Sequence, residues 1–584
     1  MKKKLGKLIL DFLVKKKVKY VFILNGGAIA FLIDFFKDRK DIKYVCVNHE
    51  QAAAMMADAY SRVGPGFAAT MVTSGPGATN LITGICCSWF DSIPTMHICG
   101  QVNKSDLKSR DNNTINCRQI GFQETDIVSM TKGITKKSIQ LNTSRNINKL
   151  LNNLYYLSTN ERGGPVLIDI PINYQKKDIE VDPIKSPPKK LLNRSYKINF
   201  NKFISLINNS LRPVFIVGAG IRLSKSERNF YKFIKKFNIP IVTTWGGFDI
   251  LPFNFKNYFG NIGVYGQRAA NLIVQNSDLI IALGTRLDTR VTGSNIKTFA
   301  PKAKLLIIDI DKNELNKKRY SNKKIKICSD LNYFFFKFNQ ESFNYKKFFD
   351  WIKCCNQIND FINTHVERKY KSKTTSPYNF FDLLNEYSSK NAIFVLDTGA
   401  HLTWGMQTIK LKKKQRLISA FGNSPMGYAL PAAIGSYFAN TSKQIICITG
   451  DGSLHINVQE LHLVHKYNMN IKIFVLNNEG YGIIKQFQGL YLNGYYEGSE
   501  KGYTNPDILA IGKSYKIKTF LIKNNKNIET VLSKVMSYKG PAFINVVVDK
   551  NQTIEPKLEF GNSLDRLSPI INSKSYKDML KRIL

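Results

Sequence analysis

Short runs of aliphatic and β-branched residues recur along the chain and alternate with stretches of helical character. From Tyr20 onward the runs are YVFIL, YVCV, FAATMVTS, TMHICGQV and GPVLIDIP. This alternation is typical of βαβ units, in which helices connect neighbouring strands of a parallel sheet. The first part of the chain therefore predicts an α/β domain with a doubly wound parallel sheet.

The same alternation returns twice. One block contains PVFIVGAGI, IPIVTT, DLIIALGTR and AKLLIIDID, and the other contains NAIFVLD, QIICITGD, IKIFVLNN and PAFINVVVD. A lysine- and proline-bearing stretch, KKDIEVDPIKSPPKKLLNRSYK, predicts a linker between the first two blocks. A polar, aromatic and lysine-rich segment near 340–377 separates the last two. At roughly 150 residues per domain, we predict three doubly wound domains, at 1–178, 195–340 and 375–550, followed by a tail at 551–584.

The charge of the chain raises a nucleic-acid hypothesis. Lys and Arg number 85 against 43 Asp and Glu, which gives a formal net charge of +42. A clustered basic face would attract phosphate or an anionic membrane surface. The lysines instead form short scattered runs such as MKKKLGK, VKKKVK and LKKKQR. We attribute the charge to compositional drift on solvated surfaces and expect no nucleic-acid partner.

The sequence shows no pattern of an exported or membrane-spanning protein. The apolar positions from Leu5 to Leu13 fit one face of a helix, and Lys7 and Asp11 interrupt them, which does not suit a signal peptide. No uninterrupted run of ~20 apolar residues occurs. The nine cysteines include no C-x-x-C pair, which favours free, buried thiols in a reducing compartment. We expect a cytoplasmic protein without a membrane partner.

One stretch of the third block combines an acidic glycine turn with a pair of amides. In ITGDGSLHINVQELHLVHKYNMNIKIFVLNN, Asp451 follows one predicted strand and Asn477-Asn478 follow the next. The apolar positions from Leu454 to Val464 predict a helix between the two strands. Both polar groups should therefore lie at the carboxyl edge of the sheet, where ligands of open α/β folds bind.

The chemistry of this stretch indicates a metal-bound diphosphate. Gly450 and Gly452 would let the backbone approach a phosphate at the beginning of a helix. The carboxylate of Asp451 and an amide oxygen suit Mg²⁺, which takes its remaining ligands from phosphate and water. The arrangement resembles the fingerprint of thiamin-diphosphate enzymes, and the chain resembles that family along nearly its whole length.

A second motif narrows the resemblance. Glu50 lies in VNHEQAAAMMADAYSRV, and TSGPGATNLITGICCSWFDSIP follows it. Together they match the pyrimidine-domain pattern of the acetolactate synthase branch, in which a glutamate in HEQ contacts the aminopyrimidine of the cofactor. The resemblance also implies that Glu50 of one subunit faces the diphosphate site of another. It therefore implies a homodimer or homotetramer, with a small regulatory subunit as a candidate partner.

The resemblance implies three cofactors: thiamin diphosphate, Mg²⁺ and FAD. The residues that match the thiamin diphosphate site are Gly27, Pro76, Asn80, His401, Gly427, Gly450, Gly452, Ser453 and Gly480. Those that match the metal site are Asp451, Asn478 and Gly480. Those that match the flavin site are Arg162, Gly218, Gly220, Gly263, Gly266, Gly284, Thr285, Arg286, Asp309 and Asp330. Tyr265 occupies a flavin-contacting position where the family often has histidine.

The implied reaction removes CO₂ from pyruvate and transfers the remaining two-carbon hydroxyethyl unit to a second 2-keto acid. The residues matched to catalytic positions are Glu50, Phe122, Gln123, Arg290, Met426 and Phe487. Met426 would hold the cofactor in a bent conformation. Arg290 would receive the carboxylate of the second 2-keto acid, because a guanidinium can bind it with two hydrogen bonds.

Several pocket positions depart from the family pattern. Ile172 replaces a lysine, Thr289 an aspartate and Ala400 a glutamine. Ile483 and Phe487 stand where acetolactate synthases have methionine and tryptophan. Because that tryptophan favours 2-ketobutyrate as acceptor, the sequence does not predict the usual preference for it.

Two alternatives remain beside an acetolactate synthase of branched-chain amino acid biosynthesis. CRQIGFQETDIV, MGYALPAAIG and PKLEFGNSLDRLSP also resemble carboligases that add a two-carbon unit from pyruvate to a keto-sugar in surface-polysaccharide synthesis. A catalytically silent paralogue is the other alternative, but the presence of Glu50, Asp451 and Asn478 argues against it. A nucleic-acid role would require a contiguous basic stripe.

Overall fold

Three six-stranded sheets, in each of which all neighbouring strands are parallel, organise the chain. The computed structural model describes residues 2–108, 117–180, 197–319, 324–365, 373–571 and 574–583. The predicted fold class, with three doubly wound parallel sheets, is confirmed. Most of the predicted linker lies outside the described residues, and the domain boundaries stay predictions.

The first sheet has the strand order β3-β2-β4-β5-β7-β6. A separate antiparallel pair, β1 with β8, joins the two ends of this region. The strands are β1 Lys2–Lys4, β2 Tyr20–Leu24, β3 Lys43–Cys46, β4 Ala68–Val72, β5 Thr95–Gln101, β6 Lys137–Gln140, β7 Val166–Pro171 and β8 Asp178–Glu180. The helices are α1 Leu5–Lys15, α2 Ala30–Asp34, α3 Glu50–Val63, α4 Pro76–Thr79, α5 Ile82–Asp91, α6 Ile127–Thr131, α7 Ile147–Thr159 and α8 Ile172–Gln175.

The second sheet has the order β11-β10-β9-β12-β13-β14. Its strands are β9 Pro213–Val217, β10 Ile241–Thr243, β11 Tyr258–Asn261, β12 Leu279–Leu283, β13 Lys304–Asp309 and β14 Lys324–Cys328. Its helices are α9 Phe200–Asn208, α10 Gly220–Leu223, α11 Glu227–Lys235, α12 Arg268–Gln275, α13 Thr289–Thr292, α14 Lys312–Asn316, α15 Leu331–Gln340 and α16 Phe349–His365.

The third sheet has the order β16-β15-β17-β18-β20-β19. Its strands are β15 Ile393–Leu396, β16 Arg416–Ile418, β17 Ile445–Gly450, β18 Ile471–Asn477, β19 Lys518–Ile522 and β20 Ala542–Val547. Its helices are α17 Pro377–Tyr387, α18 Ala400–Thr408, α19 Ala429–Ala439, α20 Asp451–Leu454, α21 Leu461–Lys466, α22 Gly482–Tyr491, α23 Ile508–Ser514 and α24 Ile528–Ser537; α25 Lys574–Ile583 follows in the tail.

Two segments outside the strand pattern pack against the second sheet. Within 340–377, α16 buries Trp351 and Ile358 in the core of that sheet, and the Trp351 indole donates to the carbonyl of Pro213 at 3.0 Å. The tail buries Leu564 in the same core, and Arg268 donates to the carbonyl of Leu567 at 2.8 Å. The C-terminal segment therefore returns from the third sheet to the second.

The first and third sheets share a hydrophobic core through α3 and α19. Buried alanines of α3 pack in one cluster with Tyr428, Leu430 and Ile434 at and within α19. Asp58 on α3 is fully buried and accepts hydrogen bonds from Arg62 at 2.6 Å and from the Tyr428 hydroxyl at 2.6 Å. Burying apolar surface on both helices stabilises this arrangement.

The helix predicted between the two site strands is interrupted. It consists of α20, a 3₁₀ turn at Val458–Glu460 and α21. Asn457 directly precedes the 3₁₀ turn. It is buried, and its amide donates to the carbonyl of Gly427 at 2.8 Å. The side chain thus holds this turn against the loop that contains Met426.

The cysteines form no disulfide in the described residues. Cys87, Cys99, Cys355 and Cys447 are buried, whereas Cys46 is exposed and the other four are half-buried. Among the described residues, no helix combines the length and the apolarity that crossing a membrane requires.

Candidate active site

Asp451 lies at the carboxyl end of β17, as predicted. Only 1% of its surface is exposed, and its Oδ2 atom has no hydrogen-bonding partner in the described protein, whereas Oδ1 accepts from the backbone N–H of Gly452 at 3.0 Å. Burial raises the pKa of Asp451 to about 6, and the N–H of Gly452, the nearby Tyr503 hydroxyl and the amides of Gly480 and Glu479 oppose that rise. The structure therefore brings Asp451 and the turn after β18 together.

Asn478 and Gly480 complete this group of residues. Both are buried, and they follow β18, the strand that pairs with β17. No group of three His, Cys, Asp or Glu side chains in the described part of the chain could hold a metal ion. The groups available at this edge are one carboxylate, one amide side chain and backbone groups, which is the small set of protein ligands that Mg²⁺ uses when phosphate and water supply the rest. The buried Oδ2 without a partner fits such an ion.

His401 in the first turn of α18 faces the same edge. Its ring fits against two glycines: a methyl group on Gly450 would lie 2.9 Å from the imidazole, and one on Gly399 would lie 2.5 Å from it. The Nε2 atom is buried and has no hydrogen-bonding partner among the described residues. Burial lowers the pKa of His401 to about 3, so the imidazole is neutral. A buried imidazole nitrogen without a partner, next to Asp451, fits an anionic diphosphate.

Tyr503 is a neighbour of this edge that the sequence did not indicate. A methyl group on Gly452 would lie 3.3 Å from its hydroxyl, and the Tyr481 and Tyr503 rings meet edge to face at 5.0 Å. Burial and the negative charge of Asp451 raise the pKa of Tyr503. Tyr503 lies 52 positions beyond Asp451 in a loop without a recognisable motif, so no sequence signal pointed to it.

The loop that contains Met426 lies above the same sheet. Met426 is half-buried, and Gly427 has a φ of 81° in the left-handed region, where a side chain would also lie 2.5 Å from Ile456. Ser453 is buried, and its hydroxyl donates to the carbonyl of Thr398 at 3.1 Å. Ser453 therefore contributes to the packing of this edge.

Glu50 begins α3 and is 6% exposed. Its Oε2 atom accepts a hydrogen bond from the Asn80 amide at 2.9 Å, and Gly77 leaves room beside Oε1. Asn80 thus orients the carboxylate. Within the described chain no hydrogen bond or ion pair joins Glu50 to Asp451 or Asn478.

The predicted pyrimidine-side residues occupy separate loops of the first sheet. Gly27 begins a 3₁₀ turn after β2, and Pro76 begins α4 after β4; both are exposed. Phe122 is 84% exposed, and Gln123 has a φ of 63° and lies against Gly75. These residues surround an open surface rather than a closed pocket.

A buried carboxylate supports the loop that contains Phe122. Asp169 accepts from the amides of Gln101 and Gln140, each at 3.0 Å, and Gln101 also donates to the carbonyl of Thr125 at 3.0 Å. The Oδ1 atom of Asp169 has no partner among the described residues. Burial raises the pKa of Asp169 to about 7.

The predicted flavin residues gather at the carboxyl edge of the second sheet. Gly218 follows β9, Gly284 follows β12, Asp309 ends β13 and Asp330 follows β14. A methyl group on Gly220 would lie 2.6 Å from the Cα atom of Gly284, so these loops approach too closely for larger residues. The close backbone approach explains the glycines whether or not a flavin binds there.

Several predicted flavin-contacting side chains already have hydrogen-bonding partners within the protein. Arg162 donates to Asp311 and Glu314, each at 2.8 Å. Asp330 accepts from the backbone N–H of Tyr333 at the beginning of α15. Burial raises the pKa of Asp309 to about 6.

The other predicted flavin positions form two loops beside these strands. Thr285 is buried, and its hydroxyl accepts from the backbone N–H of Leu287 at 3.3 Å; Arg286 lies next to Asp288 at 3.4 Å. Gly263 and Gly266 form a tight turn in which the N–H of Gly266 donates to the carbonyl of Gly263 at 2.9 Å.

Arg290 lies on α13, beside the second sheet. Its Nη1 atom is buried without a hydrogen-bonding partner among the described residues, and burial lowers its pKa. Phe487 lies on α22 next to Tyr491, with ring centroids 5.0 Å apart, and next to Phe560 of the tail, at 6.0 Å. Arg290 therefore presents a buried nitrogen without a hydrogen bond, and Phe487 belongs to an aromatic cluster.

Models of known protein families match all three regions of the chain. Residues 3–130 match the thiamine pyrophosphate enzyme N-terminal TPP binding domain, 200–335 the central domain, and 397–546 the C-terminal TPP binding domain. The chain is 32% identical to an acetolactate synthase large subunit of Cyanidium caldarium, with 95% of each chain covered. It is 32% identical to the large subunit from Lactococcus lactis, covering 96% of this chain and 95% of that one. It is 30% identical to the isozyme 2 large subunit of Escherichia coli, covering 94% and 97%.

The chain belongs to the acetolactate synthase large-subunit family. The family resemblance inferred from the GDG, NN and HEQ motifs is thus confirmed. Its relatives match over nearly their whole length.

The departures from the acetolactate synthase pattern are found around the site. Ile172 begins α8 and is half-buried, Thr289 begins α13 and is exposed, and Ala400 begins α18 and is buried. Ile483 packs against the core of the third sheet. At the first three positions the side chain lacks the charge or amide that the resemblance implies there, although the Thr289 hydroxyl is polar.

Proposed function

We propose that this acetolactate synthase family member decarboxylates pyruvate and transfers the hydroxyethyl unit to a second 2-keto acid. The observation that carries the proposal is a pair of buried polar atoms without partners, Oδ2 of Asp451 and Nε2 of His401, at one sheet edge. Buried polar atoms in folded proteins are nearly always hydrogen-bonded or coordinated. The pair fits a metal-bound diphosphate, which is the group that the matching family binds.

The metal and the diphosphate would be held by residues of the third sheet. The side chains of Asp451 and Asn478 and the backbone carbonyl of Gly480 would bind Mg²⁺, and His401 would contact the diphosphate. When bound, thiamin diphosphate supplies the nucleophilic carbon that decarboxylation of a 2-keto acid requires. Met426, in the loop that the Asn457 amide braces through Gly427, would support the cofactor from one side.

Glu50 would hold a proton at the aminopyrimidine ring. Its carboxylate is buried and oriented by Asn80, so it is suited to one fixed partner. Because no hydrogen bond or ion pair joins it to Asp451 within the described chain, we propose that Glu50 serves the diphosphate site of a second subunit. The 84% exposure of Phe122 favours the same arrangement, since a second subunit would cover this ring.

The acceptor would bind between the second and third sheets. Arg290 would pair with its carboxylate, and Phe487 would contact its alkyl group. Gln123 would line the chamber from the first sheet. Exclusion of water by these apolar neighbours would strengthen the ion pair between Arg290 and the substrate.

FAD and a small regulatory subunit are further proposals. The predicted flavin residues meet at one sheet edge, which supports FAD binding, whereas the ion pairs of Arg162 would have to rearrange if it contacts the flavin. The relatives are named large subunits, which supports a smaller partner. The cytoplasmic location and the domain boundaries stay predictions.

The test is an assay of the purified chain with pyruvate, thiamin diphosphate, Mg²⁺ and FAD. We expect acetolactate to form, to depend on the diphosphate cofactor and Mg²⁺, and to stop on chelation by EDTA. A parallel reaction supplies a keto-sugar as acceptor. Two-carbon transfer to the sugar without acetolactate would overturn the proposal in favour of the sugar carboligase. Cofactor binding without either product would indicate the silent paralogue.

A further inference from the structure

The guanidinium of Arg290 lies over an aromatic ring. Its Cζ atom is 4.8 Å from the centroid of the Trp245 ring, within the range of a cation–π contact. Trp245 in turn stacks on Tyr265, with centroids 6.2 Å apart and ring planes inclined by 25°. We name these two rings, Trp245 and Tyr265, the aromatic platform.

The aromatic platform is held in place by its surroundings. Trp245 is 7% exposed, and its indole N–H donates to the Oδ1 atom of Asn261 at 3.3 Å. The carbonyl of Tyr265 accepts from the Gln407 amide at 3.2 Å. The carbonyl of Arg290 accepts from the N–H of Val264 at 2.8 Å. Both rings and the backbone of Arg290 therefore belong to one ordered unit.

Arg290 forms no ion pair among the described residues, although the Nη1 end of its guanidinium is buried. Its Nη1 atom has no partner, and no described acidic residue forms an ion pair with it. Two acidic residues lie close enough to act on its charge, but Asp288 accepts from the backbone N–H groups of Arg290 and Val291, and Asp91 pairs with Arg62. A buried charge without a partner is costly, so a bound carboxylate would satisfy a group that the protein itself leaves unpaired.

The aromatic platform also borders the predicted reaction chamber. Trp245 contacts Phe421 with ring centroids 6.3 Å apart, and Phe421 precedes Met426 in the same loop. The guanidinium cannot move away from the indole without losing the cation–π contact. The platform thus restricts where the guanidinium lies, and binding a carboxylate with two hydrogen bonds requires a well-defined position of that group.

We propose that Trp245 and Tyr265 are positioning residues that hold Arg290 for the carboxylate of the acceptor 2-keto acid. This inference rests on the proposed function and adds to it the residues that select a charged acceptor over an uncharged one. Neither ring would touch the reacting atoms. Their effect would pass through the orientation of Arg290.

The test compares two acceptors that differ in the carboxylate. 2-Ketobutyrate carries a carboxylate on its carbonyl carbon. Propanal has the same ethyl group but a hydrogen in place of the carboxylate. With the holoenzyme and pyruvate as donor, Trp245→Leu should raise the KM for 2-ketobutyrate by roughly 3- to 30-fold, the size expected for a lost cation–π contact, and leave kcat within about 3-fold. The rate with propanal should match that of the parent.

Further variants test how the KM for 2-ketobutyrate depends on the size of each ring. Trp245→Phe keeps a smaller ring and should change KM less than Trp245→Leu. Tyr265→Leu removes the second ring of the platform and should also raise the KM for 2-ketobutyrate. Phe253→Leu serves as control, because that exposed ring also faces a cation, Lys410 at 5.4 Å.

The outcomes separate this inference from the proposed function. Equal losses with both acceptors would show a structural role for Trp245 and overturn the inference, as would an unchanged KM. If the parent transfers nothing to any 2-keto acid, the proposed function fails. In that case a second measurement decides about Trp245. Addition of 2-ketobutyrate should change the tryptophan fluorescence of the parent in a saturable way. The same addition to Trp245→Phe, or addition of the uncharged 2-butanone to the parent, should not produce this change. Absence of the signal in the parent would overturn the inference.

Discussion

The acceptor preference of this protein can be tested at Phe487. The resemblance to acetolactate synthases implies tryptophan at this position, whereas this protein has phenylalanine, a smaller ring without an N–H group. One methylene in an apolar pocket is worth about 1–3 kcal/mol of discrimination, or roughly 10- to 200-fold. Because the contacts that would bind the extra methyl group are reduced, we expect the parent to choose between pyruvate and 2-ketobutyrate with less than about 1 kcal/mol of difference, or about 5-fold.

The structure indicates how Phe487→Trp would be accommodated. Phe487 packs against Tyr491 at 5.0 Å and Phe560 at 6.0 Å, and those two rings are 4.9 Å apart. Phe560 is 67% exposed and belongs to the tail, so it can move outward when a larger ring enters. The indole should then extend toward the acceptor and shift the preference toward 2-ketobutyrate by about 1–3 kcal/mol.

The assay is a competition with equal concentrations of both acids and separation of the two acetohydroxy acid products. Phe349→Trp, at a phenylalanine that is 70% exposed, is the matched control and should leave the product ratio unchanged. A strong preference of the parent for 2-ketobutyrate would refute the argument from ring size. An unchanged ratio in Phe487→Trp would show that Phe487 does not contact the acceptor.

Three further predictions concern the cofactor site and pH. Glu50→Gln should keep the fold and thiamin diphosphate binding but lower acetolactate formation at least about 100-fold; a parent-like rate would disprove the proton-holding role. Asn478→Ala should weaken metal binding about 10-fold or more, and Asp451→Ala should weaken it further, because only that variant loses a charge. Mn²⁺ titration followed by electron paramagnetic resonance measures both affinities. Equal affinities in the parent and the two variants would place the metal elsewhere. The pKa of Asp169 is raised from 3.8 to about 7 by burial, so its stabilising contribution is present below pH 4 and is lost as the pH rises through 7. The free energy of unfolding of Asp169→Asn relative to that of the parent should therefore rise between pH 4 and pH 8, by at most about 4 kcal/mol. Denaturant curves that give the same difference between variant and parent at both pH values would contradict this.

Much of the active site could be predicted because its chemistry follows directly from strand order. Asp451 and Asn478 come after neighbouring parallel strands, and the carboxyl ends of such strands meet at one edge. Their burial and convergence were therefore expected from the position of two apolar runs. The family motifs then indicated Glu50, which the structure shows buried and oriented by Asn80.

Residues brought to the site by long-range packing had no comparable signal. Tyr503 reaches Asp451 from a loop without a motif, and Phe560 reaches Phe487 from the tail. Trp245 meets Arg290 although 45 positions separate them. Periodicity reports which face of an element is apolar, but it carries no information about which distant element covers that face.

The sequence by itself determined three parallel α/β sheets, because alternating apolar runs and amphipathic helices can bury their surfaces in few other ways. It also determined the polar groups at the sheet edge, because those groups follow the strands directly. Tertiary structure alone decided that α16 and the tail complete the second sheet's core, that the helix after Asp451 is interrupted near Asn457, and that an indole lies against Arg290. Each of these depends on contacts between segments far apart in the chain, whose free energy arises only when the whole fold has formed.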